Sequence, residues 1–141
     1  MREQISSLEF DEIEIGMEKS FCVVIDDQIL RKFSNITGDY NPLHLDEDYA
    51  KNTKFKKRIC HGMLLSSFFS RLIGMEIPGE NGLYFSQTLQ FKMPAYIGDE
   101  IIVKAKVIEK KISVRMIILK TEIYRKNDCL VEGIAKVIIR K

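Results

Sequence analysis

An α+β fold is predicted, with one long apolar helix followed by a run of antiparallel strands that could wrap it. Three observations carry this. Residues 61–75 (HGMLLSSFFSRLIGM) place apolar side chains round most of a helical circumference, as a core helix does. Residues 101–108, 112–124 and 129–139 are long β-branched segments separated by polar turns. In the first of these, Val103, Ala105 and Val107 alternate with Lys104 and Lys106, so one face meets water, a habit of antiparallel sheets.

The remaining elements follow in chain order. Residues 21–25 (FCVVI) read as a short strand. Asp26 or Asp27 then caps a helix whose apolar positions are Ile29, Leu30, Phe33 and Ile36, and Gly38 suits its left-handed end. A loop over residues 39–45 leads to a second short helix, capped by Asp46 and running to Asn52. Within the long helix, Ser66, Ser67 and Ser70 are small enough for a sheet to approach closely. Beyond it, Leu83, Phe85, Leu89 and Phe91 share one face of a strand entered through Asn81-Gly82 and ended or bulged by Pro94. Gly98-Asp99 supplies a further turn. The last strand presents Val131, Gly133, Ala135, Val137 and Ile139 on one face. Around Ile117, Ile118 and Leu119 the alternation breaks, which marks a bulge or an interface. A sheet wrapped on one helix leaves edges unpaired, so a homodimer that continues the sheet is expected.

Composition bounds the function classes. The 141 residues hold 45% hydrophobic and 30% charged side chains, ordinary for a folded protein, and no repeat or Pro/Gly-rich linker divides them. A single domain over residues 1–141 is expected. With 22 basic and 20 acidic residues the net charge is +2, which argues against nucleic acid as a partner held by bulk charge. Cys22, Cys60 and Cys129 are an odd, scattered set with no disulfide framework, and no apolar leader follows the basic start. The most apolar window, of about 13 residues, falls short of the roughly 20 that span a bilayer. A cytoplasmic protein with no membrane partner is the expectation.

Chemistry concentrates in residues 37–44, Thr-Gly-Asp-Tyr-Asn-Pro-Leu-His. Asp39 and His44 lie five apart on a loop stiffened by Pro42, which holds Asn41 extended. A carboxylate and an imidazole on one stiff loop can grip a single water from two sides and share acid–base work. The same residues can equally be an ordinary turn and a half-buried structural histidine. His61-Gly62 opens the long helix, where free N–H groups and the dipole stabilise negative charge. Gly62, lacking Cβ, lets a ligand oxygen approach, as in an oxyanion hole, or it only permits close packing with His61 as the helix cap. Cys60 is a weak candidate nucleophile without an orienting group, and His44, His61, Cys60 and Asp39 lack the close-spaced ligand pair of a metal site. Lys54, Lys56, Lys57 and Arg58 are either solvated surface or a clamp for substrate phosphates.

The stretch FSNITGDYNPLH (residues 33–44) resembles the signature of (R)-specific enoyl-CoA hydratases and MaoC-like dehydratases. The likeness continues through RICHGMLL (58–65) and FKMP (91–94) to Gly98-Asp99, and covers roughly residues 20–138. The resemblance implies a hot-dog fold, usually dimeric, with an acyl site near the subunit interface and no cofactor or metal. It implies that Asp39 and His44 hold the catalytic water, that Asn41 supports their loop, and that the Gly62 N–H polarises the thioester carbonyl. Ser70 matches a small polar residue beside the acyl pocket, and Lys56 and Lys57 become candidates for the substrate's phosphates. Cys60 stands where the family often has an aliphatic residue.

The activity so implied is reversible hydration of a trans-2-enoyl-CoA to the (R)-3-hydroxyacyl-CoA. The large Phe68, Phe69, Ile73 and Met75 lean towards short acyl chains. Dehydration of 3-hydroxyacyl groups on acyl carrier protein keeps the chemistry and changes the carrier. A hot-dog thioesterase would aim the water at the carbonyl carbon instead, and a non-catalytic binder would hold the thioester without turnover.

Overall fold

β-Branched residues in two-residue alternation build the frame. The computed structural model describes residues 4–141, and six strands form one antiparallel sheet. They are β1 (Glu18–Val24), β2 (Gly82–Gln87), β3 (Gln90–Phe91), β4 (Glu100–Lys111), β5 (Met116–Arg125) and β6 (Asp128–Ile139). The order is β1-β4-β5-β6-β2, with β3 also pairing β6. Val103, Ala105 and Val107 on β4 face Ile123, Thr121 and Leu119 across the ladder, all buried. The register slips between Val107 and Glu109, so the bulge foreshadowed by Ile117, Ile118 and Leu119 sits on the partner strand, at Ile108.

Four helices complete the fold: α1 (Asp27–Thr37), α2 (Pro42–Leu45), α3 (Glu47–Lys51) and α4 (Gly62–Arg71), the last continuing as a π-helical turn over Leu72–Glu76. Leu64, Leu65, Phe69, Leu72 and Ile73 enter one core with Val103, Val107, Leu119, Val131, Ala135 and Val137, so the sheet wraps α4 as expected. Two expectations about buried faces are corrected. α4 is not apolar and buried all round: Met63, Ser67, Ser70 and Gly74 form an exposed stripe, with Met63 58% exposed, because one side of the helix looks away from the sheet. On α1, Ile36 is 85% exposed whereas Ser34 is buried. Six residues on from Leu30, Ile36 lies about 120° round the helix, while Ser34, one turn on, stays beneath Leu30.

The strand expected from Leu83 to Phe91 is two short strands, interrupted at Thr88-Leu89. Of the apolar face expected there, Leu83, Phe85 and Phe91 point away from the core and are more than half exposed, while Leu89 packs partly against it. β2 is an edge strand, so this surface flanks an unpaired backbone row. Among the described residues, no helix is long and apolar enough to cross a membrane.

The chain leaves α1 through Gly38 at φ 79°, its N–H closing on the Ser34 carbonyl at 2.8 Å. An added Cβ would meet no atom within 4 Å there, so only backbone strain opposes a side chain. Gly38→Ala should therefore lower unfolding free energy by about 1–2 kcal/mol in a urea titration, the usual left-handed penalty. Wild-type stability would show that the left-handed cap is not under strain.

Candidate active site

Short side chains shape the loop between α1 and α2. Thr37 Oγ1 donates to the Phe33 carbonyl (2.8 Å) and accepts from the Asp39 N–H (3.2 Å). Asp39 Oδ1 accepts from the Asn41 N–H (3.2 Å), and Asn41 Oδ1 accepts from the Leu43 N–H (3.0 Å). Residues 42–45 form a helical turn where a loop was expected, because proline at the first helical position with asparagine as cap favours one.

That turn carries His44, whose Nδ1 lies 2.8 Å from the Ile59 carbonyl oxygen. A carbonyl can only accept, so Nδ1 holds the proton and Nε2 of the neutral ring keeps a free lone pair. Arg58 secures the same turn from behind, its Nε donating to the His44 carbonyl at 2.7 Å. The guanidinium is 6% exposed and pairs with Asp27 at 2.5 Å and Glu47 at 3.4 Å. Hydrogen bonds from Arg31 and then Arg58 hold the Asp27 carboxyl below the usual carboxylate range. The basic run is thus divided: Arg58 is an internal brace, while Lys54, Lys56 and Lys57 stay outside.

Asp39, His44 and Gly62 line one cavity of about 410 Å³, walled by apolar groups that include Leu65, Phe91, Met93 and Val131. Asp26, Asn41 and Asp46 cap α1, α2 and α3 by accepting first-turn N–H groups. His61, the residue before α4, makes no such bond. The N–H groups at the α4 start therefore keep their capacity to donate, at the positive end of the helix dipole. A Cβ on Gly62 would come within 2.8 Å of Phe91 Cδ1, so the ring rests directly on this backbone.

His61 is 2% exposed and packs against two rings, stacked on His44 at 3.9 Å and tilted against Phe33 at 4.8 Å. Its Nε2 is 3.1 Å from Ser34 Oγ, and its buried Nδ1 has no hydrogen-bond partner. Burial lowers the His61 pKa, the neighbouring His44 lowers it further, and the Asp39 main chain and carboxylate oppose both.

Asp39, His44 and His61 each offer a ligand atom within 4.8 Å of the others. The imidazoles are stacked with only 27° between planes, so their in-plane lone pairs run nearly parallel and converge poorly on one metal. Contacts of about 2.8 Å to one shared water fit this spacing better. Glu122, Cys129 and Glu132 form a second such group, but Tyr124 Oη already donates to Glu122, and Lys92 to Glu132. Cys60 is buried, and burial pushes its thiol up to about 12, the opposite of an activated nucleophile.

Of the residues expected at the site, Asp39, His44 and Gly62 meet; Asn41, Ser70, Lys56 and Lys57 do not line the cavity. Asn41 caps α2, Ser70 lies on the exposed stripe of α4, and Lys56 is exposed at φ 64°. Lys57 Nζ sits 4.2 Å over the Tyr96 ring, beside a separate concavity shared with Asp99 and Arg125. Sequence reasoning missed Phe91 as a wall and Arg58 as a brace. Nothing local marks either, since both act on residues distant in the chain.

The buried histidine sets an acid limit. Because its folded pKa lies below the unfolded value near 6.5, the unfolded chain binds the proton more readily, and stability falls as pH drops through 6.5 towards the folded value. His61→Phe should flatten this part of a stability–pH profile measured by urea unfolding between pH 7.5 and 5. An unchanged slope would assign the acid sensitivity to another group.

A profile of the MaoC like domain matches residues 12–127. The (R)-specific enoyl-CoA hydratase of Aeromonas caviae is 34% identical over 118 residues, 84% of this chain and 88% of the relative. The 3-hydroxybutyryl-CoA dehydratase of Methylorubrum extorquens is 38% identical over 109 residues, 77% and 69% of the two chains. The unliganded structure of R-hydratase PhaJ1 from Pseudomonas aeruginosa superposes with a TM-score of 0.93 at 32% identity, covering 97% of this chain and 88% of that one. With its sheet wrapped on a central helix in the hot-dog manner and the profile matched over most of its length, the chain belongs to the MaoC-like domain family.

Proposed function

We propose that the protein catalyses reversible hydration of a trans-2-enoyl-CoA to the (R)-3-hydroxyacyl-CoA, with a short acyl chain. The observation that carries this is the meeting of Asp39, His44 and the uncapped start of α4 in one apolar-walled cavity. Conjugation with the thioester carbonyl makes the β-carbon of the substrate electrophilic. A water held by the Asp39 carboxylate and the His44 Nε2 lone pair attacks that carbon and gives up a proton to the pair. Negative charge moves to the thioester oxygen, where the Gly62 N–H and the helix dipole stabilise it. The proton then returns from the same pair to the α-carbon, and the reverse steps expel water.

Relatives similar over most of this chain bear coenzyme A names, which favours that carrier over acyl carrier protein. Lys56 and Lys57 lie outside the cavity as exposed cations for the carrier's phosphates. Asn41 holds the loop through its cap of α2, and an acyl chain leaving the cavity would run along the exposed stripe of α4 that carries Ser70. The three cysteines are free thiols, which suits the reducing cytoplasm. A homodimer joined along β2 would cover Leu83 and Phe85 and continue the sheet.

Mixing the purified protein with crotonyl-CoA should remove the conjugated enoyl absorbance and yield the (R)-alcohol; no loss with folded protein would sink the short-chain hydratase reading. Asp39→Asn and His44→Ala should each lower kcat by about 100-fold or more, the scale of an acid–base group. Near-normal turnover in either would overturn its assigned role. Sedimentation should give twice the 16.4 kDa chain mass, and Phe85→Asp should return the monomer. A wild-type monomer would refute the dimer.

A further inference from the structure

The cavity's two working side chains account for Asp39 and His44 but leave a buried imidazole unexplained. His61 lines the same cavity beside them yet is only 2% exposed, with one nitrogen against Ser34, the other without a well-formed hydrogen bond, and the Asp39 main chain close by. A buried polar atom without a partner weakens a fold, so packing alone is a poor reason for histidine at this position. Its ring covers a face of His44 at 3.9 Å, and the Phe33 ring packs against it at 4.8 Å with a 60° tilt. Ser34 is itself wholly buried on α1, and His61 is its side chain's hydrogen-bond partner.

We propose that His61, pinned by Ser34, is a positioning residue for His44, a neutral plate that fixes the plane of the His44 imidazole. The hydrogen bond from His44 Nδ1 to the Ile59 carbonyl holds one edge of the ring and limits its rotation about the Cβ–Cγ bond only within the broad angular tolerance of a hydrogen bond. Stacking on His61 removes that rotation, and the Ser34 hydroxyl stops the plate from sliding. Three segments distant in the chain, at residues 34, 44 and 61, thereby set one direction for the Nε2 lone pair. A neutral plate serves this purpose and a charged one does not, since an imidazolium stacked on His44 would repel the proton His44 must take up.

The kinetic arm rests on the hydration reading; the spectroscopic arm does not. His61→Ala removes the plate. The double variant Ser34→Ala/His61→Phe keeps a flat ring and deletes both polar partners together, so neither is left unpaired. With an enoyl-CoA that the wild type turns over, His61→Ala should lose about 10-fold or more in kcat at nearly unchanged KM, as misorientation of a reacting group does. The double variant should recover to within about 3-fold of wild type, because the larger apolar Phe ring is held in place by packing and needs no hydrogen-bonded pin. In nitrogen-15 NMR, the His44 Nδ1 proton should be protected from exchange in wild type and double variant, and exchange rapidly in His61→Ala.

Wild-type kcat and a protected proton in His61→Ala would overturn the proposal, and so would a double variant as impaired as His61→Ala. Should His61→Ala fail to fold, Ser34→Ala is read in the same way. Reduced kcat at constant KM with faster proton exchange supports the pinned plate, and wild-type values for both refute it. If the wild type hydrates no enoyl thioester, the hydration reading falls, and the exchange measurement still decides the part played by His61.

Discussion

The hydrogen bond from His44 Nδ1 to the Ile59 carbonyl is the contact on which the rest of the site depends. It joins the turn that bears the imidazole to the segment leading into α4. Two further bonds close the same seam, from Ile59 N–H to the Leu43 carbonyl at 3.3 Å and from Arg58 Nε to the His44 carbonyl at 2.7 Å. Because a carbonyl cannot donate, the bond also decides the chemistry, leaving Nε2 as the basic nitrogen of the neutral ring. Position and tautomer are set by one interaction.

Charge is distributed around that seam so that each group has a partner except where one is useful. The buried Arg58 guanidinium faces Asp27 and Glu47, both substantially exposed, so water helps to carry the cost of burying the cation. Side chains cap three helices, and α4 alone among the four begins without one. Its start lies in the cavity with Asp39 and His44, where apolar walls surround it and the Phe91 ring rests against the Gly62 backbone. In such low-dielectric surroundings a donated hydrogen bond to developing negative charge is stronger than in water.

The sheet supplies rigidity and also the exposed surface. Long paired strands β4, β5 and β6 hold the core face of α4, while the short strands β2 and β3 run along the margin with Leu83, Phe85 and Phe91 turned outward. Phe91 therefore belongs both to the cavity wall and to the exposed margin. Any surface that packs against this margin would also shape the entrance to the site.

Local chemistry in the sequence was enough for a cap at Asp26 or Asp27 and one at Asp46, the left-handed Gly38, the alternation of β4, and the placing of Asp39 and His44 on one stiff loop. Each depends on residues within about one turn of one another, where side-chain type and backbone preference act directly. The failures have a common cause. Ile36 rather than Ser34 was read as facing inward, α4 was read as buried all round, and Arg58 was read as part of a surface run. In each case the deciding neighbour lies far along the chain: His61 for Ser34, the limit of the sheet for α4, and Asp27 with His44 for Arg58. Sequence by itself brought forward Asp39, His44 and the Gly62 end of the long helix as the groups on which the proposed chemistry rests. Only the tertiary structure decided the tautomer of His44, the plate behind it and the brace beneath it, because these are contacts between segments 14 to 31 residues apart that no local periodicity encodes.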